Sequence, residues 1–273
     1  MINIAYTGWT WLVNHEDNQK LEFELFLKAM KDLNYPYVEN FAFIKRFFDG
    51  NADEIKGLLD KYGVKLANLY YHFTDDDEKD FEIASDYVQF AKALGAEYLN
   101  LQGTMWRDQP FDRPTNPERV IGYAKLTERI GKVCKENGLK ACFHPHANTS
   151  VYTQEQIEMF LENCDPEYAF LCLDTAHTTL AGMDPVAMIK KYVDRIGYMH
   201  LKDVDPNPEA HKEWPMDRFL PLGMGTVDFK GVYDALKKGG FNGIMCVELD
   251  NPPVCNYHAA MTSRNYLHNV LGF

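Results

Sequence analysis

The chain has 273 residues, 46% hydrophobic and 14% aromatic, enough to bury one large core. Its net charge is -12, from 28 basic and 40 acidic side chains, so its surface repels nucleic-acid phosphates and anionic lipid heads. Its 6 cysteines form no CxxC pair, MINIAYTGWT has no signal-peptide pattern, and no apolar run reaches the ~18 residues of a bilayer span, so a soluble, reduced, cytoplasmic protein is expected.

Along the chain, short apolar runs alternate with longer amphipathic stretches. INIAYTG opens, EFELFLKAMKDL follows with helical spacing, and YVENF is the next run. ADEIKGLLDKY, VKLANLYY, FEIASDYVQFAKAL, AEYLNL, PERVIGYAKLTERIGKVCKEN and LKACFH continue the rhythm. AFLCLD, IGYMHL and GIMCVEL complete it. Strands alternating with helices predict βαβ units and a parallel sheet. Gly63, Gly95, Gly138 and Gly243 stand where helices should end. About eight units fit the length of a closed (β/α)8 TIM barrel, here a single domain over residues 1–273. A doubly wound open sheet is the alternative, but INIAYTGWTWL lacks the GxGxxG of its usual first turn.

Four predicted strands end in potential metal ligands: His144, Asp174, His200 and Glu248. Imidazole nitrogen with carboxylate oxygen suits a divalent transition metal. Strand tips form the catalytic face of such a barrel. One buried histidine is usually a satisfied core group; four such residues at equivalent positions are hard to explain as packing. Two positions earlier, on the same strand face, stand Cys142, Cys172, Tyr198 and Cys246, which suit an interior layer beneath the site.

Further candidates surround this set. His146, beyond Pro145, could act as ligand, base or substrate donor. His177 is expected to start a loop after Asp174 and lean over the pocket. His72 and Gln102 sit near other strand ends, and Lys202 follows His200 closely. Trp9, Trp11, Tyr70 and Trp214 could line an apolar wall, although single aromatics are more often core residues. Asp203 to Leu222 is the longest stretch without periodicity and reads as a lid, with Arg218 as a substrate-binding candidate.

LCLDTAHTTLAGMDP, RIGYMHLKDVD, GMGTVDF and VELD together resemble the xylose isomerase-like TIM-barrel superfamily of sugar isomerases and epimerases. FHPHANT followed by DTAH and AGMDP is similar to the inosose dehydratases, which remove water from a keto-inositol. It is also similar to the barrel subunits of C-glycoside deglycosylation enzymes, which work with a small β-rich partner subunit. The resemblance implies a metal-dependent enzyme that abstracts a proton next to a carbonyl of a keto-sugar, keto-inositol or keto-glycoside. A lyase is the first expectation and an isomerase or epimerase the second. Manganese is the first metal expected, with cobalt, zinc, iron or magnesium as alternatives, and an oligomer is expected. The implied ligands are His144, Asp174, His200 and Glu248. Glu248 also stands where the superfamily shares proton transfer, and His146 becomes the base candidate. His177, Lys202, Gln102, His72 and Arg218 are then expected to bind substrate.

The family usually has glutamate at position 144. Histidine there disfavours a symmetric two-glutamate epimerase and leaves room for a one-base elimination. An apurinic endonuclease on this fold would need a larger zinc ligand set and a basic DNA-binding face, which this chain lacks. A non-catalytic metal-binding subunit of an assembly is the remaining alternative from another class.

Overall fold

The computed structural model describes residues 1–13, 18–106, 114–207, 209, 211 and 213–273. The strands are β1 (Asn3–Thr7), β2 (Tyr37–Phe41), β3 (Lys65–His72), β4 (Tyr98–Gln102) and β5 (Lys140–Phe143). They continue with β6 (Ala169–Asp174), β7 (Ile196–Leu201), β8 (Asp203–Val204), β9 (Phe219–Leu220) and β10 (Ile244–Val247). All except β8 and β9 are parallel and close a barrel in the order β1-β10-β7-β6-β5-β4-β3-β2. The expected (β/α)8 barrel is therefore the observed fold, and the open sheet is excluded.

Strand alternation divides the hydrophobic residues between two compartments. Leu99, Leu101, Ala141, Phe143, Leu171, Leu173, Met199 and Leu201 face outward and pack with Val120, Ile130, Phe160 and other helix residues in the main core. Burying one such aliphatic side chain stabilises the fold by about 1.5–3 kcal/mol. Tyr98, Cys142, Cys172, Tyr198, Ile244 and Cys246 face inward and form a separate cluster inside the barrel. The layer expected beneath the strand tips is thus present.

The helices begin where short polar side chains cap them. Asn51 accepts from Glu54 N–H, Asp76 from Lys79 N–H and Asn116 from Arg119 N–H. Each satisfies a donor that the helix start would otherwise leave unpaired. Gly63, Gly95 and Gly138 adopt the left-handed conformation that ends a helix. Gly243 does not share this role. Helix Phe229–Lys238 is followed by Gly240 at φ 73, while Gly243 leads into β10. A Cβ there would stand 2.8 Å from the Gly197 carbonyl oxygen, so close strand packing selects this glycine. Among the described residues, no helix is long and apolar enough to cross a membrane.

The aperiodic 203–222 segment contains a short ribbon, with β8 antiparallel to β9. Its base is anchored. The Asp203 carboxylate accepts from the N–H groups of Gly223, Gly225 and Val227 at 2.8–2.9 Å. Any Cβ on Gly225 would approach Val204 O to 2.3 Å, so the GMGTV run is shaped to wrap this carboxylate. The rest of this segment includes residues 208, 210 and 212, which lie outside the described residues.

Gly131 sits inside helix Pro117–Glu136, where alanine would ordinarily be more stable by about 1 kcal/mol. Here an added Cβ would lie 2.1 Å from the Tyr168 carbonyl oxygen. Gly131→Ala is therefore expected to destabilise the fold by about 1–3 kcal/mol, through overpacking. A lower urea midpoint would show this; a raised midpoint would count against the packing argument.

Candidate metal centre and active site

The four strand-tip residues converge at the C-terminal mouth of the barrel. His144 N–H donates to Leu101 O and Glu248 N–H to Leu201 O, which extends the strand geometry by one residue past β5 and β10. Period-two alternation then turns both side chains inward. In β6 and β7, Asp174 pairs in register with His200. One ligand atom from each of His144, Asp174, His200 and Glu248 lies within 4.8 Å of the other three.

The hydrogen bonding leaves those atoms available. Asp174 ends β6 and also caps helix Thr175–Leu180, its Oδ1 accepting from Ala176 N–H at 2.7 Å and His177 N–H at 2.8 Å. Its Oδ2, like His144 Nε2, His200 Nδ1 and Glu248 Oε2, is taken by no backbone group; the four face one another, with His200 Nδ1 2.9 Å from Glu248 Oε2 and His144 Nε2 3.8 Å from Asp174 Oδ2. All four residues are at most 5% exposed. Buried polar atoms are rarely left unpaired. Two imidazole nitrogens and two carboxylate oxygens around one point fit a divalent cation.

Electrostatics support the same fit. Glu39, Asp174 and Glu248 are buried carboxylates, and Lys202 is a fully buried ammonium. Lys202 Nζ stands 2.8 Å from Glu248 Oε2 and 3.4 Å from Asp174 Oδ2 and Asp250 Oδ2. Burial works against its charge, but Asp174, Asp250 and Glu248 outweigh burial and hold its pKa well above the usual lysine value. Burial also opposes a charge on His200, but Cys172, Glu248 and Glu39 outweigh it and hold its pKa well above the usual histidine value, so the carboxylates draw a second cation that a dication would replace.

His146 and His177 form the next layer. Their ring centroids are 3.9 Å apart, and the His146 ring lies 5.3 Å from that of His144. His146 Nδ1 is 2.7 Å from Ala147 O. A carbonyl only accepts, so Nδ1 carries the proton and the neutral ring keeps its lone pair on Nε2. Burial, followed by the charges of His144 and Lys202, pushes the His146 pKa well below the usual histidine range. Burial, followed by His146 and Lys202, does the same to His177. Ala147 N–H donates to His177 Nδ1 at 3.3 Å. Sequence reasoning placed His177 on a loop. Instead, the Asp174 cap starts a short helix immediately, which fixes His177 in its first turn.

A cavity of about 560 Å³ opens above these groups, lined in part by Trp9, Phe41, Tyr70, His72, Gln102, His146, Trp214 and Glu248. Trp9 packs on Phe41 at 4.5 Å, and Phe41 packs on Tyr70 at 4.8 Å, which forms one aromatic wall. Trp214 and Met216 approach from the ribbon segment, and Phe219 meets the His177 ring edge-on at 4.9 Å. Trp11 lies elsewhere, in the outer core against Phe26. The Arg218 guanidinium donates to Asp205 O at 2.7 and 3.3 Å and so braces the ribbon.

Sequence reasoning did not single out Glu39, which lies under the centre with its Oε2 2.8 Å from His200 Nε2. The available signal was an acidic residue on the inward face of the apolar strand YVENF, beside Asn68 and Asn100 on neighbouring strands. It also missed the bond from Tyr70 OH to Gln102 Oε1, at 2.5 Å, and the contact of that hydroxyl with His144 Nδ1.

These features define a (β/α)8 barrel whose catalytic face carries a four-donor centre beneath an aromatic-walled cavity. The family model for the xylose isomerase-like TIM barrel matches residues 27–267, and the chain belongs to that family. An inosose dehydratase of Clostridium tetani (strain Massachusetts / E88) is 32% identical, over 92% of this chain and 90% of that protein. An inosose dehydratase of Geobacillus kaustophilus (strain HTA426) is 27% identical, over 90% of this chain and 86% of that protein. Among solved structures, the IOLI protein with a binding zinc atom superposes with a TM-score of 0.77, at 20% identity and 98% coverage of both chains. The probable 3-DHS dehydratase AsbF from Bacillus anthracis has a TM-score of 0.76, at 13% identity, over 98% of this chain and 99% of that one.

Because Asp174 divides its two oxygens between cap and centre, Asp174→Asn should separate the two roles. An amide oxygen still caps the helix, whereas an amide NH₂ makes no metal ligand. The variant is expected to remain folded by circular dichroism and to lose bound divalent metal by elemental analysis. Full metal retention would remove Asp174 from the ligand set.

Proposed function

We propose that the protein is a divalent-metal-dependent carbohydrate lyase that removes a proton next to the carbonyl of a keto-inositol or keto-glycoside and expels a β-substituent. The observation that carries this reading is His146. It is neutral, its Nδ1 proton is held by Ala147 O, and its ring lies beside the four-donor centre on the cavity wall. The similarity to inosose dehydratases over nearly the whole chain supports the same chemistry.

His144, Asp174, His200 and Glu248 would hold the ion, whose bound charge would polarise the substrate carbonyl as a Lewis acid. His146 Nε2 takes the proton from the carbon next to that carbonyl, and the C–H electron pair moves towards the carbonyl. As the C=C bond forms, the bond to the β-oxygen or β-carbon substituent breaks and its electron pair leaves with that group. The proton on His146 returns to the departing group, which balances the reaction as loss of water or of an aglycone.

Lys202 supplies a fixed positive charge beside Glu248 and Asp174, which favours negative charge developing on the substrate. His177 Nδ1 faces Ala147 N–H at 3.3 Å and its Nε2 faces the Lys202 ammonium at 3.5 Å, so it places Lys202 and the His146 segment relative to the substrate. Gln102 presents its amide NH₂, since its oxygen accepts from Tyr70. His72 lines the outer cavity near the Trp9 and Phe41 rings, where an apolar sugar face or an aglycone would rest. With histidine at position 144, Glu248 is left as the only glutamate of the pair that epimerases use. This favours elimination over epimerisation.

His146→Ala should lower turnover by about 100-fold or more, the usual weight of a positioned base, while metal content stays at the wild-type level. Loss of metal instead would make His146 a ligand. A base acts when unprotonated, so activity is present above its pKa and falls as pH drops through it. Because burial and nearby positive charge lower that pKa, the acid limb of kcat/KM is expected below the usual histidine value of 6.5. An acid limb above that value would remove His146 from the role. A metal-replete screen of keto-inositols, ketohexoses and 3-keto-glycosides tests the reaction class. Isomerised ketohexose as the only product would replace the lyase with an isomerase, and absence of any substrate proton exchange would favour a non-catalytic subunit.

A further inference from the structure

The two histidines of the centre present different ring nitrogens to it: His200 its Nδ1, 2.9 Å from Glu248 Oε2, and His144 its Nε2, 3.8 Å from Asp174 Oδ2. A neutral imidazole has one lone pair, so each ring must keep its proton on the opposite nitrogen for both to ligate. We propose that Glu39 and Tyr70 are positioning residues that commit His200 and His144 to opposite tautomers, leaving Nδ1 of the first and Nε2 of the second free to ligate. This inference rests on the divalent-metal reading of the centre.

For His200, the partner of Nε2 is the Glu39 carboxylate at 2.8 Å. An ionised carboxylate only accepts, so Nε2 keeps a proton; Nδ1 faces the Glu248 carboxylate, and it is the proton there that a bound metal would replace. The same Glu39 oxygen receives Asn68 Nδ2 at 2.6 Å and Asn100 Nδ2 at 3.3 Å. Glu39, Asn68 and Asn100 are all fully buried, on β2, β3 and β4. Two amides from adjacent strands therefore aim the carboxylate at the ring. A carboxylate behind a ligating imidazole also increases the basicity of the nitrogen facing the metal.

For His144, the partner of Nδ1 is the Tyr70 hydroxyl. That hydroxyl has one proton, and it donates to Gln102 Oε1 at 2.5 Å. Its oxygen then accepts from His144 Nδ1–H, and Nε2 keeps the lone pair. The Gln102 amide turned end for end would reverse this chain, place the proton on Nε2 and remove His144 from the ligand set. Oxygen towards Tyr70 is the only orientation that leaves all four donors of the centre able to ligate.

The test uses Glu39→Gln and Tyr70→Phe, with Zn²⁺ affinity measured by chelator competition and the visible spectrum recorded on Co²⁺-loaded protein. Glu39→Gln is expected to bind Zn²⁺ about 10–100-fold more weakly and Tyr70→Phe to weaken binding in the same direction, as outer-shell partners do. Both should shift the cobalt bands, while the metal-free proteins melt as the wild type does. Asn68→Ala retains the Glu39 charge but frees the carboxylate to turn, and should also weaken Zn²⁺; it serves as the decisive variant if Glu39→Gln fails to fold. Wild-type affinity and unchanged cobalt bands in these variants would overturn the positioning role alone. A wild-type protein that binds neither Zn²⁺ nor Co²⁺ would overturn the metal reading together with it.

Discussion

Buried charge at the mouth of the barrel is the constraint on which the site depends. Asp174, Glu248 and Glu39 are carboxylates removed from water, and isolated buried charges cost several kcal/mol each. Lys202 offsets part of that cost, and His200, held between Glu39 and Glu248 with its pKa raised well above the usual value, takes a proton to offset more. Of the buried polar atoms that make no hydrogen bond, four, on His144, Asp174, His200 and Glu248, converge from separate strands to within 4.8 Å of one another. A cation at that point would balance the charge and satisfy the orphaned atoms together. The barrel is suited to holding such a site because each donor stands on a rigid strand end, set by backbone pairing on both sides.

Alternation along the strands made much of this legible in the sequence. In AFLCLD, the inward positions Cys172 and Asp174 follow from period two alone, as do Tyr198 and His200 in IGYMHL. The outward residues between them read as ordinary core. The helical runs ADEIKGLLDKY and PERVIGYAKLTERIGKVCKEN were equally legible, and the structure adds Asn51 and Asn116 as the caps that start them. Less legible were features that depend on which strands become neighbours. Glu39 reads as one acid in YVENF until β2 is seen beside β3, where it meets Asn68, and across the barrel from His200. Tyr70 reads as a wall residue until its hydroxyl is placed between His144 and Gln102. Gly243 was misread for the same reason: its constraint is the carbonyl of Gly197 on the adjoining strand, not the end of its own helix.

The ribbon after β7 shows how a stretch without periodicity can still have a fixed base. Asp203 follows the site residue Lys202 directly, and its carboxylate gathers the N–H groups of the glycine-rich turn 223–227. The HLKD and GMGTV segments are far apart in sequence, yet one hydrogen-bonded knot joins them. The knot holds Phe219 against His177 and carries Trp214 and Met216 to the cavity. The cavity wall on this side is therefore tied to the same strand end that supplies His200.

Histidine at position 144 changes the charge of the site as well as its ligand type. A glutamate there would add a further anion beside Asp174 and Glu248, and with it a second carboxylate able to exchange protons with substrate. His144 is neutral, and burial, the largest influence on it, holds its pKa below the usual histidine value despite the pull of Asp174. Its hydrogen-bond chain through Tyr70 to Gln102 ends at a neutral amide, whereas that of His200 ends at the Glu39 carboxylate. The two halves of the centre are therefore electrically unlike. His200 lies between the Glu39 and Glu248 carboxylates, whereas His144 lies on the side of His146 and His177. A carbanion-forming step needs a neutral base on one side of the substrate and positive charge near the carbonyl oxygen on the other. On the proposed lyase reading, the asymmetry introduced by His144 would separate those two requirements within one pocket, which a pair of opposed glutamates would not do.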